Sequence, residues 1–231
     1  MKAFRLAVRH GFGSELDVHL TLDGRLVVFH DANLLRMTGV HRRIEEMTWQ
    51  ELSEVRLLDT SHRIPLLEEV LDLYTSEKAL IDRKIHLPLI IELKAEGNAP
   101  ELCRRVMETI DRYPELNYCI ESFDPRVVLW LRRHRPDVIR GQLTENFMKS
   151  REAVRQWGRL MTLGMWSVAP NILSRPDFIA SKFQDRRNLV IRLCHRMGVR
   201  QVNWIIRNRS ELNTVDREGG LSIFERFVPD R

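Results

Sequence analysis

The sequence has no run of roughly 18 apolar residues, the length a membrane-spanning helix needs, so no span or stable membrane anchor is expected. A secretion signal is missing too. The opening MKAFRLAVRHGFG reads instead as an amphipathic helix over 2–10 ended by Gly11. Cysteine is scarce: Cys103, Cys119 and Cys194 lie far apart, are odd in number and show no C-x-x-C spacing. A thiolate metal site and a disulfide framework are thereby excluded, and reduced, buried thiols in a cytoplasmic protein are expected. Short internal repeats and low-complexity tracts are absent. The net charge is +5, yet the arginines are scattered along helical segments such as LWLRRHRPD and QDRRNLVIRL. They form no stripe with a nucleic-acid motif, so no nucleic-acid partner is expected. Solvated helix faces account for most of them, with some attraction of anions such as phosphates.

What is present is an ordinary globular composition, 43% hydrophobic and 30% charged, over 231 residues. That length suits one core, and an α/β barrel of about 250 residues is a single domain. Short apolar runs alternate with helical segments. Strands are expected near residues 15, 90, 119, 140, 179, 202 and 223, with helices at 49–57, 66–74, 150–163 and in the remaining gaps. Thr48 and Glu51 form a Thr-x-x-Glu capping box. LPLIIELK, at 87–94, reads as a strand buried on both faces. Strand–helix alternation of this kind predicts a parallel sheet, and the strand count is one short of a (β/α)₈ barrel. A strand at 26–29 returns from the first through the Asp23-Gly24 turn. The polar segment 32–65 reads as a loop-like insertion over one barrel end.

The chemistry gathers at SELDVHLTLDGRLVVFHD, residues 14–31. Residues two apart on a strand share a face, so Glu15 and Asp17 converge and repel unless a cation or proton lies between them. Hard oxygen donors of this kind suit Mg²⁺ or Ca²⁺. Glu92 interrupts the apolar strand LIIELK near its C-terminal end, where barrels collect functional groups, and can join them as a third ligand. Lys94 shares its side and suits a phosphate. A solvated strand end is the alternative for the Glu15–Asp17 pair. His30, after LVVF, is either a satisfied structural histidine or a general acid–base beside the carboxylates. His19 shares the parity of Glu15 and Asp17 but lies further along, and reads as structural. Glu121 could face the same mouth, and Phe123 and Trp204 lie near strand ends, where they serve either as pocket wall or as core.

ELDVHLTLDGRLVVFHDANLLRMTG resembles the E-x-D…T-x-D-G…V-x-x-H-D…R-x-T-G block of bacterial-type glycerophosphodiester phosphodiesterases. IPLLEEVL, PLIIELK, ESFDP, RPD, PDFIA and the Trp-containing NWIIRN follow in that family's order. The resemblance runs nearly end to end. It implies a TIM-like (β/α)₈ barrel formed by 1–231, with an insertion at about 32–65. It implies a divalent metal, Ca²⁺ or Mg²⁺, held by Glu15, Asp17 and Glu92, with His30 as acid–base and Lys94 on the phosphate. Glu121, Phe123 and Trp204 then line the substrate pocket. The implied reaction is hydrolysis of glycerophosphocholine or glycerophosphoethanolamine to sn-glycerol 3-phosphate and an alcohol, by attack of the glycerol 2-hydroxyl and opening of the cyclic phosphate. A non-catalytic metal- and phosphodiester-binding protein and a lysophospholipase D-like enzyme are the two other readings. The family's first strand ends in His-Arg-Gly and leads into a Pro-Glu-Asn-(Thr/Ser) loop, and Met1 falls just after that loop. The expectation is therefore a barrel without its first strand, with two open edges and without the second acid–base histidine and the arginine beside it.

Overall fold

Apolar runs too short for helices and helical segments with one wet face can bury their side chains only by layering against each other. The computed structural model shows this alternation over residues 1–76, 86–145 and 171–229. The helix expected at 150–163 lies outside these residues. The chain divides into two compact units, Met1–Ile120 and Glu121–Arg231.

In the first unit, a helix at Lys2–Arg9 ends at Gly11, whose φ of 68° is the left-handed conformation that glycine adopts freely. β1 (Ser14–Leu20) pairs antiparallel with β2 (Leu26–Val28) across the Asp23-Gly24 turn, Val18 opposite Val28. Gly24 sits at φ 78°. The turn is tied down by Thr21, whose hydroxyl donates to Asp23 Oδ1 (2.6 Å) and accepts from the Arg25 N–H (2.8 Å). Asp23 Oδ1 also accepts from the Trp49 N–H (2.9 Å), which anchors the next segment to the hairpin. β3 (Leu89–Leu93) runs parallel to β1 on its other side, with Asp17 in register with Glu92. It is buried on nearly its whole length, as its continuous apolar run requires. Helices at Leu67–Ser76 and Ala99–Ile110 flank β3 in sequence, and β4 (Tyr118–Ser122) straddles the division between the units.

The segment 32–65 is more than the loop its polarity suggests. Short helical turns at Leu35–Thr38, Ile44–Glu46 and Trp49–Ser53 gather Leu34, Ile44, Met47, Leu52 and Ile64 around Val27 in a core of their own. The Thr48 capping box forms as expected: Thr48 N–H donates to Glu51 Oε2 (2.8 Å) and Thr48 Oγ1 accepts from the Glu51 N–H (3.3 Å).

In the second unit, β5 (Arg140–Thr144), β6 (Phe178–Lys182), β7 (Arg200–Ile206) and β8 (Leu221–Phe224) pair parallel in sequence order. The helix Pro125–His134 starts from an Asp124 cap that accepts from the Arg126 N–H (2.8 Å), with Pro125 in the first turn, where its missing N–H costs nothing. Gly141 is in register with Phe178, and a Cβ there would lie 2.2 Å from the Phe178 ring. Gly141→Ala is expected to destabilise the chain by about 1–3 kcal/mol through overpacking. A urea melt checks this, and an unchanged midpoint would mean that the ring moves aside freely. Of the cysteines, only Cys103 is fully buried, while Cys119 and Cys194 are partly exposed; all are free thiols. Among the described residues no helix is long and apolar enough to cross a membrane.

Candidate active site

The in-register parallel pairing of β1 and β3 sets Asp17 beside Glu92, and the two-residue repeat of a strand puts Glu15 on the same face. Each of these three carboxylates offers an oxygen within 4.8 Å of the others. The Lys94 N–H continues the ladder past the end of β3 by donating to the Val18 carbonyl (3.0 Å). Its side chain turns back into the cluster, with Nζ 2.9 Å from Asp17 Oδ1 and 2.5 Å from Glu92 Oε1. The lysine expected on a phosphate therefore stands among the carboxylates as their internal counter-ion.

Burial dominates the electrostatics here. It pushes Glu15 up to about 8, and the neighbouring Asp17 and Glu92 charges push the same way. Burial also lifts Glu92, to about 7, against the pull of Lys94. Burial works against the charge on Lys94, but Glu92 and Asp17 outweigh it and hold the ammonium above its ordinary value. Crowded, desolvated carboxylates that hold extra protons are what a divalent cation would relieve, and an all-oxygen donor set fits a hard cation.

A carboxyl whose pKa is higher folded than unfolded favours the folded state at low pH, and that contribution is lost as pH rises through the folded value. Between pH 6.5 and 8.5 the buried His19, lowered to about 4 by burial, is neutral when folded and contributes little. In EDTA the chain is accordingly expected to melt roughly 5 °C lower at pH 8.5 than at pH 6.5, on the order of 2 kcal/mol. A saturating divalent cation should erase the difference. A melting temperature that rises with pH in EDTA would contradict the assignment.

The hairpin explains why an acid pair and a histidine share one short stretch. The Phe29 N–H donates to the Asp17 carbonyl (3.0 Å), so the returning strand delivers His30 beside β1. His30 Nδ1 lies 2.6 Å from Asp31 Oδ1, and its ring is otherwise largely exposed. Arg36 grips the same carboxylate from Nε (2.6 Å) and Nη2 (2.9 Å). That hydrogen bonding, with a smaller contribution from His30, holds Asp31 down at about 2. His30 is thus oriented by an ionised carboxylate that is itself fixed by an arginine.

The remaining expected residues lie in the second unit. Glu121 is buried. Phe123 and Trp204 meet edge to face with ring centroids 6.0 Å apart, and Lys182 Nζ sits 5.4 Å from the Trp204 ring and pairs with Glu145. Lys182 and Glu145 belong to no sequence motif. The same holds for Arg43, which bonds Glu45 Oε1 (2.8 Å) and also Glu96, linking the insertion to the segment after β3 across 53 residues of sequence.

The chain is 37% identical over 124 residues to a glycerophosphodiester phosphodiesterase of Bacillus altitudinis, covering 49% of this chain and 46% of that protein. It is 35% identical over 126 residues to human lysophospholipase D GDPD1, covering 49% of this chain and 36% of that protein. The matches thus span less than half the length of these two relatives. The solved structure of an Oleispira antarctica phosphodiesterase in complex with the product sn-glycerol-3-phosphate superposes with a TM-score of 0.73 at 19% identity, covering 96% of this chain and 85% of that one. At that identity the likeness is one of fold, the TIM-like α/β barrel that the family resemblance implies. Matching its family model over residues 1–223, the chain belongs to the glycerophosphoryl diester phosphodiesterase family.

Proposed function

We propose that the chain hydrolyses glycerophosphodiesters to sn-glycerol 3-phosphate and an alcohol, using a divalent cation, Ca²⁺ or Mg²⁺. The observation that carries this reading is the cluster of Glu15, Asp17 and Glu92 with Lys94 at its centre, within a chain of this family. The three carboxylates would hold the cation, which supplies Lewis-acid stabilisation of charge on the phosphoryl oxygens. Lys94 offers the phosphate a second positive charge at the same place. His30, held by Asp31, is the proton-transfer group, and its exposed ring leaves the second nitrogen open to a reacting hydroxyl or leaving oxygen. The edge-to-face pair Phe123 and Trp204 and the buried Glu121 are the substrate-binding residues in this reading. The free thiols support a cytoplasmic setting.

The test is release of sn-glycerol 3-phosphate from glycerophosphocholine in Ca²⁺, in Mg²⁺ and in EDTA. Product formed with either cation and not in EDTA supports the proposal. A folded chain that binds the cation and the diester without turnover would instead be the non-catalytic binding protein. A clear preference for lysophosphatidylcholine over glycerophosphocholine would move the substrate to lysophospholipids, the class named by the human relative.

A further inference from the structure

In the second unit, the helix at Leu189–Arg196 turns apolar side chains toward water. A surface helix normally keeps its apolar residues on the inner face and its polar ones outside. The inner face here is ordinary: Ile191 is buried, and Val190 and Cys194, on the same side at 3.6 residues per turn, are half-buried. The opposite side carries Leu189, Leu193 and Met197, each four residues from the next and so stacked along one line. They are 76%, 56% and 74% exposed. Met197 caps the helix and is held on it by its N–H, which donates to the Leu193 carbonyl (3.0 Å). Scattered exposed leucines need no explanation, but a contiguous row marks a surface that meets something.

The same face is cationic. Residues 186–200 hold five arginines, one histidine and no acidic residue. Glu218 pairs with Arg186 (3.0 Å) and Arg187 (3.3 Å). Arg192, Arg196 and Arg200 are exposed and enter no ion pair among the described residues. Arg192 and Arg196 are also four apart, and the helical repeat sets them alongside Leu189 and Leu193. Guanidinium groups thus border the apolar row.

Charge and polarity together select the partner. A bilayer with anionic headgroups answers both, with negative charge at its surface and acyl chains just beneath. Long arginine side chains can stay at headgroup level while the leucines and the methionine sink below it. The eight-residue helix is about 12 Å long, a small face beside the roughly 800 Å² that each partner gives to a stable protein interface.

We propose that the Leu189–Arg196 helix, with Met197, is a reversible docking surface for an anionic lipid membrane. Leu189, Leu193 and Met197 enter the headgroup–acyl boundary, and Arg192, Arg196 and Arg200 meet the lipid phosphates and carboxylates. Ile191 stays buried in the fold, so the contact is peripheral, and salt weakens it. This surface is independent of the hydrolytic reading above.

The test is co-sedimentation of the whole chain with phosphatidylcholine vesicles, with and without about 30% phosphatidylserine, at about 0.1 M NaCl. Binding is expected only with phosphatidylserine. Arg192→Gln with Arg196→Gln should weaken it by about 25-fold, about fivefold for each arginine. Leu189→Gln with Leu193→Gln should weaken it by about tenfold or more. These positions are exposed and glutamine is a good helix former, so both variants should melt within about 2 °C of the wild type. A second readout needs no variant: a spin label on the lipid should selectively broaden the wild-type amide signals of 189–197. Absence of binding to phosphatidylserine vesicles, equal binding to pure phosphatidylcholine, or binding that survives either double substitution would overturn the proposal. So would spin-label broadening that spares 189–197. A dimer in light scattering that Leu189→Gln with Leu193→Gln abolishes, without vesicle binding, would give the face to a second copy of the chain instead.

Discussion

Glu92→Gln is expected to lower turnover of glycerophosphocholine by about 10²–10³ or more and to weaken divalent-cation binding severely, while the cation-free protein becomes more stable at pH 8. The two effects follow from one charge. Glu92 is buried beside Asp17, and its carboxyl is raised to about 7 by burial. The neutral amide removes a charge that folding has to desolvate, yet its oxygen can still accept from Lys94 at the place where Glu92 Oε1 now lies at 2.5 Å. Cation binding loses a hard anionic ligand and is penalised, whereas the cation-free cluster loses a repulsion and is relieved. Asp17→Asn, at the register partner of Glu92, should behave in the same direction. Isothermal titration with Ca²⁺ and Mg²⁺, melting curves in EDTA and product release form the set of measurements. Wild-type cation affinity in Glu92→Gln would remove Glu92 from the ligand set. Reduced stability in EDTA at pH 8 would mean that its charge is net stabilising, contrary to the raised carboxyl.

This cluster was legible in the sequence because each of its parts is a local signal. Glu15 and Asp17 show by their spacing, and Glu92 by being the one acid in an apolar strand. The parallel register that joins Asp17 to Glu92 adds no new residue type to the pattern. The Asp23-Gly24 turn and the Thr48 cap are local in the same sense, since each is closed by hydrogen bonds spanning only a few residues. What the sequence hid are features that exist only after the chain has folded back on itself. Leu34, Ile44, Met47, Leu52 and Ile64 keep neither helical nor strand period, so the core of the insertion looked like loop. The bond from Arg43 to Glu96 joins positions 53 apart. His19 reads as structural because it lies further along the strand than Glu15 and Asp17; its orphaned Nε2 is a fact of packing, not of pattern. The motif placed Lys94 on a phosphate, and only the folded geometry shows it bonded to Asp17 and Glu92.

That geometry makes Lys94→Met a variant whose effects should separate in sign. The ammonium, 2.9 Å from Asp17 and 2.5 Å from Glu92, shares with an incoming cation the carboxylates it would need. Its side chain is 16% exposed, and those of its partners are 12% and 8% exposed, so solvent screens the group little. Taking one partner from a buried ion cluster typically costs about 3–5 kcal/mol, because the opposite charge is left uncompensated. In EDTA at pH 8 the Lys94→Met protein should therefore melt roughly 6–20 °C below the wild type, at about 2–4 °C per kcal/mol. Lowering the pH should recover part of the loss, since Glu15 and Glu92 can then take up protons in place of the missing cation. Ca²⁺ should bind the variant more tightly, by about tenfold, because it no longer displaces an ammonium from the carboxylates. Turnover should nevertheless fall by about 10²–10³, because the phosphate loses a positive charge that the cation alone does not replace. Tighter cation binding together with slower catalysis is a combination that a simple folding defect would not produce. Weaker Ca²⁺ binding in Lys94→Met would show that the lysine supports the cation site instead of competing for it. Unchanged turnover would take Lys94 off the phosphate.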